Sequence, residues 1–371
     1  MSLKIIEAED VLNTLLPVYR LEESPSAALI KAAAMWSQTV WAAAVQLGPM
    51  ALSAQQVSHG LKLAASPVFI CGVHRSGTTL LRNLLDGHPE LAVLPSEGTY
   101  FTNLEFKLQA LSENEWPTFL GTEWLRRLAN PINQPPYWLL GRTCAAGSPY
   151  VDFARYLMAW WKILYQREKT QWPHTAVVLA YASCTNTAAA LWVDKTPTNE
   201  RFLNRIWKEM PGAKIIHVVR EPVATLISRK EMEPALYIRT VLKDMKLSFR
   251  VALTPSYLND PRFLVVRYEQ LCENPTTVTD QIASFLNIGF SESILRPTVA
   301  GLPVKANSSS AQQAGPDQIL KPHQHLHNEQ LPAAELRLLA SYIGNLAAKL
   351  NYPITKATFL NKLYLRLRYR L

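Results

Sequence analysis

Cysteine is scarce in this 371-residue chain: Cys71, Cys144, Cys184 and Cys272 stand far apart, with no CxxC pair. That spacing argues against a disulfide scaffold or a zinc site and predicts reduced thiols in a cytoplasm. Glycine is sparse as well, at 14 residues, and no period recurs, so collagen-like, low-complexity and repeat architectures are excluded. Long apolar runs are missing too. The most apolar stretch, Ala27 to Leu52, is broken by Lys31, Gln38, Gln46 and Pro49. A membrane span needs about 20 largely uninterrupted apolar residues, so an amphipathic or buried helix is expected there. Met1 to Asp10 carry charges and lack the apolar stretch of a secretory leader.

What the chain does have is core-forming material. Hydrophobic residues make up 48% and charged residues 18%, a balance that excludes disorder as the dominant state. The length allows roughly two or three domains, or one large α/β domain with insertions. The formal net charge of +9 points to an anionic partner without naming it.

Residues 1–64 read as a helical N-terminal extension, with helices from Pro25 to Gly48 and from Ala54 to Leu63. Pro67 to Gly72 is a short apolar run ending in glycine, the pattern of a buried parallel strand. Leu80, Leu81, Leu84 and Leu85 then share one helical face, and Leu91 to Leu94 supplies a second strand. Strand, glycine-bearing loop, helix and strand make a βαβ unit. Further strands are expected at Leu191–Asp194, Lys214–Val219 and Phe263–Tyr268, with helices at 199–210, 222–229, 235–254, 277–286 and 332–350. The fold class is therefore α/β: a parallel sheet of about five strands flanked by helices. The α/β domain runs over 65–350 and carries a Trp-rich helical insertion at about 99–190, with short helices over 99–150 and an aromatic helix at Val151–Arg167. A basic tail, 351–371, follows.

Gly72-Val-His-Arg-Ser-Gly77-Thr78-Thr79 lies between a strand and a helix, where backbone N–H groups and the helix dipole converge on an anion. The loop resembles GxxxxGK[ST], yet Thr78 stands where a nucleoside-triphosphate loop needs lysine. Arg75 supplies the charge from inside the loop instead. A turn that merely packs a helix on a sheet is the bland alternative. Arg220 ends the fourth strand, and Ser228 follows in the next helix. Together they can fork and hydroxyl-bond a second phosphate.

His74-Arg-Ser-Gly-Thr-Thr-Leu-Leu81 resembles the 5′-phosphosulfate loop of sulfotransferases that use 3′-phosphoadenosine 5′-phosphosulfate (PAPS), in the Arg-Ser-Gly-Thr-Thr form of tyrosylprotein and many bacterial members. Asp86-Gly-His-Pro-Glu90 is similar to the helix end and turn of that group. The resemblance implies a P-loop-NTPase-like α/β sheet in which His74, Arg75, Ser76, Gly77, Thr78 and Thr79 hold the 5′-phosphosulfate and Arg220 and Ser228 hold the 3′-phosphate. Two separated anion sites would suit a nucleotide phosphorylated at both ends. Asn307–Ser310 and Asp317–Pro322 look like the family segment that closes over the nucleotide, which assigns Ser308 and Lys321 to it. Arg267-Tyr-Glu-Gln-Leu271 resembles a recurrent segment after the last strand. The likeness covers 67–98, 190–230, 263–290 and a stretch around 305–323.

Sulfuryl transfer needs a base for the acceptor's proton and cations for the charge on the leaving phosphate. Glu97 follows the second strand, at the strand ends where open α/β sheets place ligands. The resemblance makes it the base, and makes Lys195 in Asp194-Lys-Thr-Pro197 the residue that steadies the transition state beside Arg75. Glu97 as a helix-end carboxylate and Lys195 as a partner of Asp194 are the structural alternatives. His74 and His217 are rival bases. His74 reads as pocket lining and His217 as a packed core histidine. His323, His325 and His327 alternate, but no cysteine or nearby carboxylate completes a metal site, so no metal is expected.

The expected activity is in-line sulfuryl transfer from PAPS to a hydroxyl or amine of a small molecule, glycan or peptide, releasing adenosine 3′,5′-bisphosphate (PAP). The insertion tryptophans Trp116, Trp124, Trp138, Trp160, Trp161 and Trp172 are candidates for the acceptor pocket. A P-loop-like phosphotransferase and a non-catalytic nucleotide- or polyanion-binding protein are the alternatives. No nucleic-acid partner is expected, and the basic tail reads as a docked helix rather than a lipid-binding one.

Overall fold

Three helices precede the first strand: α1 (Ser2–Leu15), α2 (Ala27–Leu47) and α3 (Ala54–Ala64). The computed structural model describes residues 2–18, 24–133, 135–141, 148–167, 173–304, 331–352 and 354. Ser26 opens α2 by accepting the Leu29 amide, and Ser53 and Gln56 form a reciprocal capping box on α3. Leu29, Ala32, Ala33, Trp36, Val40, Trp41 and Ala44 are buried along α2 at helical spacing, so the helix packs by one stripe. Among the described residues no helix is long and apolar enough to cross a membrane.

β1 (Pro67–Cys71) is buried at every position. After it come α4 (Thr78–Leu85), β2 (Leu91–Val93), a π-helical stretch at Tyr100–Leu104, and α5 (Glu105–Gln109), α6 (Trp116–Ala129), α7 (Pro149–Arg167) and α8 (Pro173–Thr185). The aromatic helix expected at Val151–Arg167 is α7, and the insertion's 99–150 stretch, expected to hold short helices, includes the 14-residue α6. Its Pro and Asn residues cap helices instead of breaking them: Pro117 lies in the first turn of α6, and Asn130 ends it in the left-handed region.

β3 (Leu191–Lys195), α9 (Leu203–Glu209), β4 (Lys214–Val219), α10 (Pro222–Met232), α11 (Ile238–Ala252), α12 (Pro255–Leu258) and β5 (Phe263–Arg267) continue the alternation. α13 (Tyr268–Glu273), α14 (Pro275–Leu286), a small hairpin of β6 (Thr298–Val299) and β7 (Leu302–Pro303), and α15 (Ala333–Lys349) complete it. The helix expected over 199–210 is a 3-10 turn at Pro197–Arg201 followed by α9. β1 to β5 form one parallel sheet in the order β2-β3-β1-β4-β5. The five expected strands are present, each within a residue of its expected bounds.

The chain forms two units. One comprises Met1–Pro67, Leu85–Asp194 and Thr298–Val304; the other comprises Val68–Leu84, Lys195–Pro297 and Lys305–Leu371. In the first, Leu91 pairs with Leu191 and Val93 with Val193. Trp36 is wholly buried there and meets Trp138 and Tyr150 edge to face at 5.0 and 5.1 Å. A ring burying about 200 Å² contributes roughly 5 kcal/mol before conformational entropy is counted. In the second unit β4 pairs with β1 and β5, and Leu226, Leu242, Met245, Phe249 and Leu339 form a core of α10, α11 and α15.

Gly121, in the middle of α6, shows which force decides a helix position. Alanine there gains about 1 kcal/mol in helix propensity. Its Cβ, however, would sit 2.1 Å from the buried Trp41 ring of α2. Overpacking of that kind costs about 1–3 kcal/mol or more. Gly121→Ala is therefore expected to lower the urea midpoint despite the better propensity. A higher midpoint would mean that the α2–α6 packing yields easily.

Candidate active site

The loop from Gly72 to Gly77 is shaped by close approach. Gly72 has φ +141° and Gly77 φ +99°, in a range that side chains rarely tolerate. A Cβ on Gly72 would fall 2.3 Å from the Val218 carbonyl oxygen, and one on Gly77 2.2 Å from the Tyr268 ring. Between them Arg75 adopts φ +73°, a strained left-handed position for a non-glycine residue. Alternation of this kind turns successive amides into a concave anion cradle that leads into α4. The Ser76 hydroxyl is buried in this loop and has no hydrogen-bond partner among the described residues.

Arg75 and the Arg220–Ser228 pair come together. Arg75 Nε donates to Ser228 Oγ at 2.9 Å, and Arg220 Nη1 donates to the Arg75 carbonyl at 3.0 Å. β1 and β4 are sheet neighbours, so the segments leaving them lie side by side. The two candidate anion sites that the sequence places apart thus meet at Arg75. Burial, then the like charge of Arg220, pull the Arg75 guanidinium below its ordinary value. Two guanidiniums so placed favour an anion with more than one charge. Arg220 also lies over the Tyr268 ring, 4.5 Å from its centroid. Tyr268 thus touches both Gly77 and Arg220, a role that the segment Arg267–Leu271 did not disclose.

The loop is braced from behind by a buried polar chain. Ser248 Oγ of α11 accepts the Val73 amide at 3.1 Å and lies 3.3 Å from His217 Nε2, which is 2.9 Å from Glu200 Oε2. His217 has no exposed surface, as a core histidine should; its carboxylate and serine neighbours meet Nε2, while the buried Nδ1 has no partner among the described residues. Glu221 caps α10 through the Val223 and Ala224 amides, while burial raises its pKa. The cap fixes the helix start just after Arg220.

In the other unit, Glu97 and Ser96 lie half-buried in the turn after β2, outside any helix. The Gly98 amide donates to Asp194 Oδ1 at 2.9 Å. Arg127 of α6 donates to the Glu97 and Gly98 carbonyls and to Thr99 Oγ1. Lys195, buried at the end of β3, belongs to the unit of the Gly72–Gly77 loop. Neither Arg127 nor Asp194 stood out in the sequence as part of this turn, because one arginine in an amphipathic helix carries no local signal.

His74 is half-buried in the loop, and Thr78 is buried at the start of α4. Ser308, Lys321, His323, His325, His327, Trp172 and the tail beyond 354 lie outside the described residues. Trp124, Trp138 and Trp160 are buried, with Trp138 Nε1 bonded to Asn13 and Trp160 Nε1 to Ser183. They build the core of their unit. Trp116 and Trp161, edge to face at 6.2 Å, keep partly exposed surface.

A family model described as the sulfotransferase family matches residues 67–292. No curated protein sequence matches the chain. Among solved structures, a sulfotransferase domain from the Synechococcus PCC 7002 olefin synthase is 23% identical, covers 82% of this chain and 94% of its own, and has a TM-score of 0.40. The sulfotransferase domain from the curacin biosynthetic pathway is 21% identical over 77% of this chain and 98% of its own, with a TM-score of 0.47. Sulfotransferase STF9 from Mycobacterium avium is 15% identical over 78% of each chain, with a TM-score of 0.38.

His174 of α8 provides a test of the surroundings of this turn. It is fully buried between Trp124 and Tyr100, and burial, aided by the Arg127 charge, lowers its pKa from 6.5 to about 3. From pH 6.5 down to 3 the unfolded chain binds a proton that the folded chain refuses. Stability is thus full above the unfolded pKa and falls below it, by at most about 1.4 kcal/mol per pH unit. Relative to His174→Phe, the native protein is expected to lose about 2 kcal/mol between pH 7 and pH 5 in denaturation experiments. A difference that stays constant with pH would contradict a neutral buried imidazole.

Proposed function

The chain belongs to the sulfotransferase family, and on that footing we propose that it transfers a sulfuryl group from PAPS to a hydroxyl or amine acceptor. The observation that carries the donor is the Arg75–Ser228–Arg220 cluster beside a phosphate-type loop whose lysine position is Thr78. Such a site suits a ligand anionic at two points better than a magnesium-bound triphosphate. The residues fit that donor: the buried Ser76 hydroxyl is an orphan that a phosphate oxygen would satisfy. When bound, the donor supplies a sulfuryl group activated by its bond to the 5′-phosphate.

In this reading the loop amides with His74, Ser76, Gly77, Thr78 and Thr79 hold the 5′-phosphosulfate. Arg220 and Ser228 take the 3′-phosphate, and Arg75 offsets charge between the two. Ser308 and Lys321 belong to the segment that closes over the nucleotide. Glu97 follows β2 and Lys195 ends β3, each at the carboxyl end of its parallel strand, where ligands of open α/β sheets bind. Glu97 accepts the acceptor's proton as that oxygen or nitrogen attacks sulfur in line with the departing 5′-phosphate oxygen. The sulfur–oxygen bond to phosphate breaks, PAP leaves with the electron pair, and Lys195 with Arg75 steadies the growing negative charge. The acceptor is a small molecule, glycan or peptide, with the half-exposed Trp116 and Trp161 as the aromatic surface open to it. The cytoplasm is the proposed compartment, on the scattered cysteines.

Two experiments test this reading. By calorimetry PAP should bind far more tightly than ATP with magnesium, and Arg220→Ala should cost about 2–5 kcal/mol of PAP affinity. Equal or tighter ATP binding would favour a phosphotransferase. Glu97→Gln should lower kcat about 10²–10⁴-fold with PAP affinity nearly unchanged, and Lys195→Ala about 10²–10³-fold. Near-normal turnover of Glu97→Gln would remove the base assignment and make His74 the leading base.

A further inference from the structure

We infer that Arg127 is a positioning residue for Glu97, setting the direction in which the proposed base leaves the backbone; the inference rests on Glu97 being that base. One peptide unit carries both contacts. The Glu97 carbonyl and the Gly98 amide belong to the same rigid plane. Its carbonyl accepts from Arg127 Nη1, and its N–H donates to Asp194 Oδ1 at 2.9 Å. Holding both ends of that plane leaves little freedom in ψ of Glu97, and so in the direction of its side chain. Asp194 can come so close only because residue 98 is glycine: a Cβ there would lie 2.6 Å from the carboxylate.

Arg127 extends the grip beyond that peptide. Nη1 also reaches the Gly98 carbonyl at 3.3 Å, and Nη2 the Thr99 hydroxyl at 3.1 Å. Thr99 itself has φ +50°, and the π-helical stretch Tyr100–Leu104 starts immediately after it. Left-handed backbone and π-turns persist where the surroundings over-determine them, often beside functional groups. The guanidinium is fixed in turn. Its Nε donates to Glu123 Oε1 at 3.0 Å one helical turn earlier, and its plane lies 5.2 Å from the Trp124 ring centroid. All three nitrogens are therefore committed, two of them to the turn that carries Glu97. Lysine would keep the charge near Glu123 and Trp124 but lacks the planar fork that holds two carbonyls and a hydroxyl together.

The test is a double-mutant cycle on kcat using Arg127→Lys and Glu97→Gln, each variant checked for native thermal stability and PAP affinity. With Glu97 present, Arg127→Lys is expected to lower kcat about 10- to 100-fold while KM for acceptor and PAPS stays within about two-fold. In the Glu97→Gln background the same substitution should change kcat by less than about two-fold, because no base remains to be aimed. An equal loss in both backgrounds, or no loss with Glu97 present, would overturn the positioning role while leaving the base assignment intact. Near-normal turnover of Glu97→Gln alone would instead remove the base reading, and this inference with it. If Arg127→Lys does not fold, Thr99→Ala removes one arm of the grip and carries the same cycle. Its expected loss is about 3- to 10-fold, confined to the Glu97 background.

Discussion

The nearness of the Gly72–Gly77 backbone to its neighbours is the constraint on which the proposed anion site depends. The Val218 carbonyl on one side and the Tyr268 ring on the other leave no room for a side chain at either glycine. That confinement turns the loop tightly enough to force Arg75 into the left-handed region. Its carbonyl then meets Arg220, and its side chain meets Ser228. The geometry of a second strand end is therefore tied to the first by hydrogen bonds to a single residue. Behind the loop, Ser248 holds the Val73 amide and is itself set by His217 and Glu200. A buried imidazole that could be mistaken for a base is thus part of the scaffold.

The turn after β2 is built on a different principle. The glycine there, Gly98, makes room for a carboxylate rather than for a carbonyl or a ring. One carboxylate and one guanidinium, both from distant points in the chain, then grip opposite ends of the same peptide. Charged partners on backbone groups give stronger and more directional bonds than neutral ones. Such an arrangement suits a residue whose side chain must point one way without being enclosed.

Much of the fold was legible in the sequence because buried parallel strands read as short apolar runs. Lys214–Val219 matches its observed strand residue for residue, and the others differ only at their ends. The alternation of those runs with helical periods then gave the α/β class. The insertion was less legible: its Trp and Pro content suggested short helices and a pocket, whereas Trp124, Trp138 and Trp160 are packed inside. Aromatic composition alone does not separate a core from a binding wall. At the site, the loop and the Arg220–Ser228 pair were readable because their residues are close in sequence. That Arg75 joins them was not, since a contact across 153 positions leaves no local pattern. The same holds for Arg127, 30 residues from the carbonyl it holds.

Sulfuryl transfer from PAPS is tested by following the sulfur. The protein would be incubated with PAPS carrying labelled sulfur and a panel of alcohols, phenols, sugars and amines, with products resolved by mass spectrometry. At least one acceptor should gain the mass of a single sulfuryl group, with PAP released in equal amount. Intact PAPS with every acceptor, label recovered only as free sulfate, or phosphoryl transfer from ATP to the same panel would contradict it.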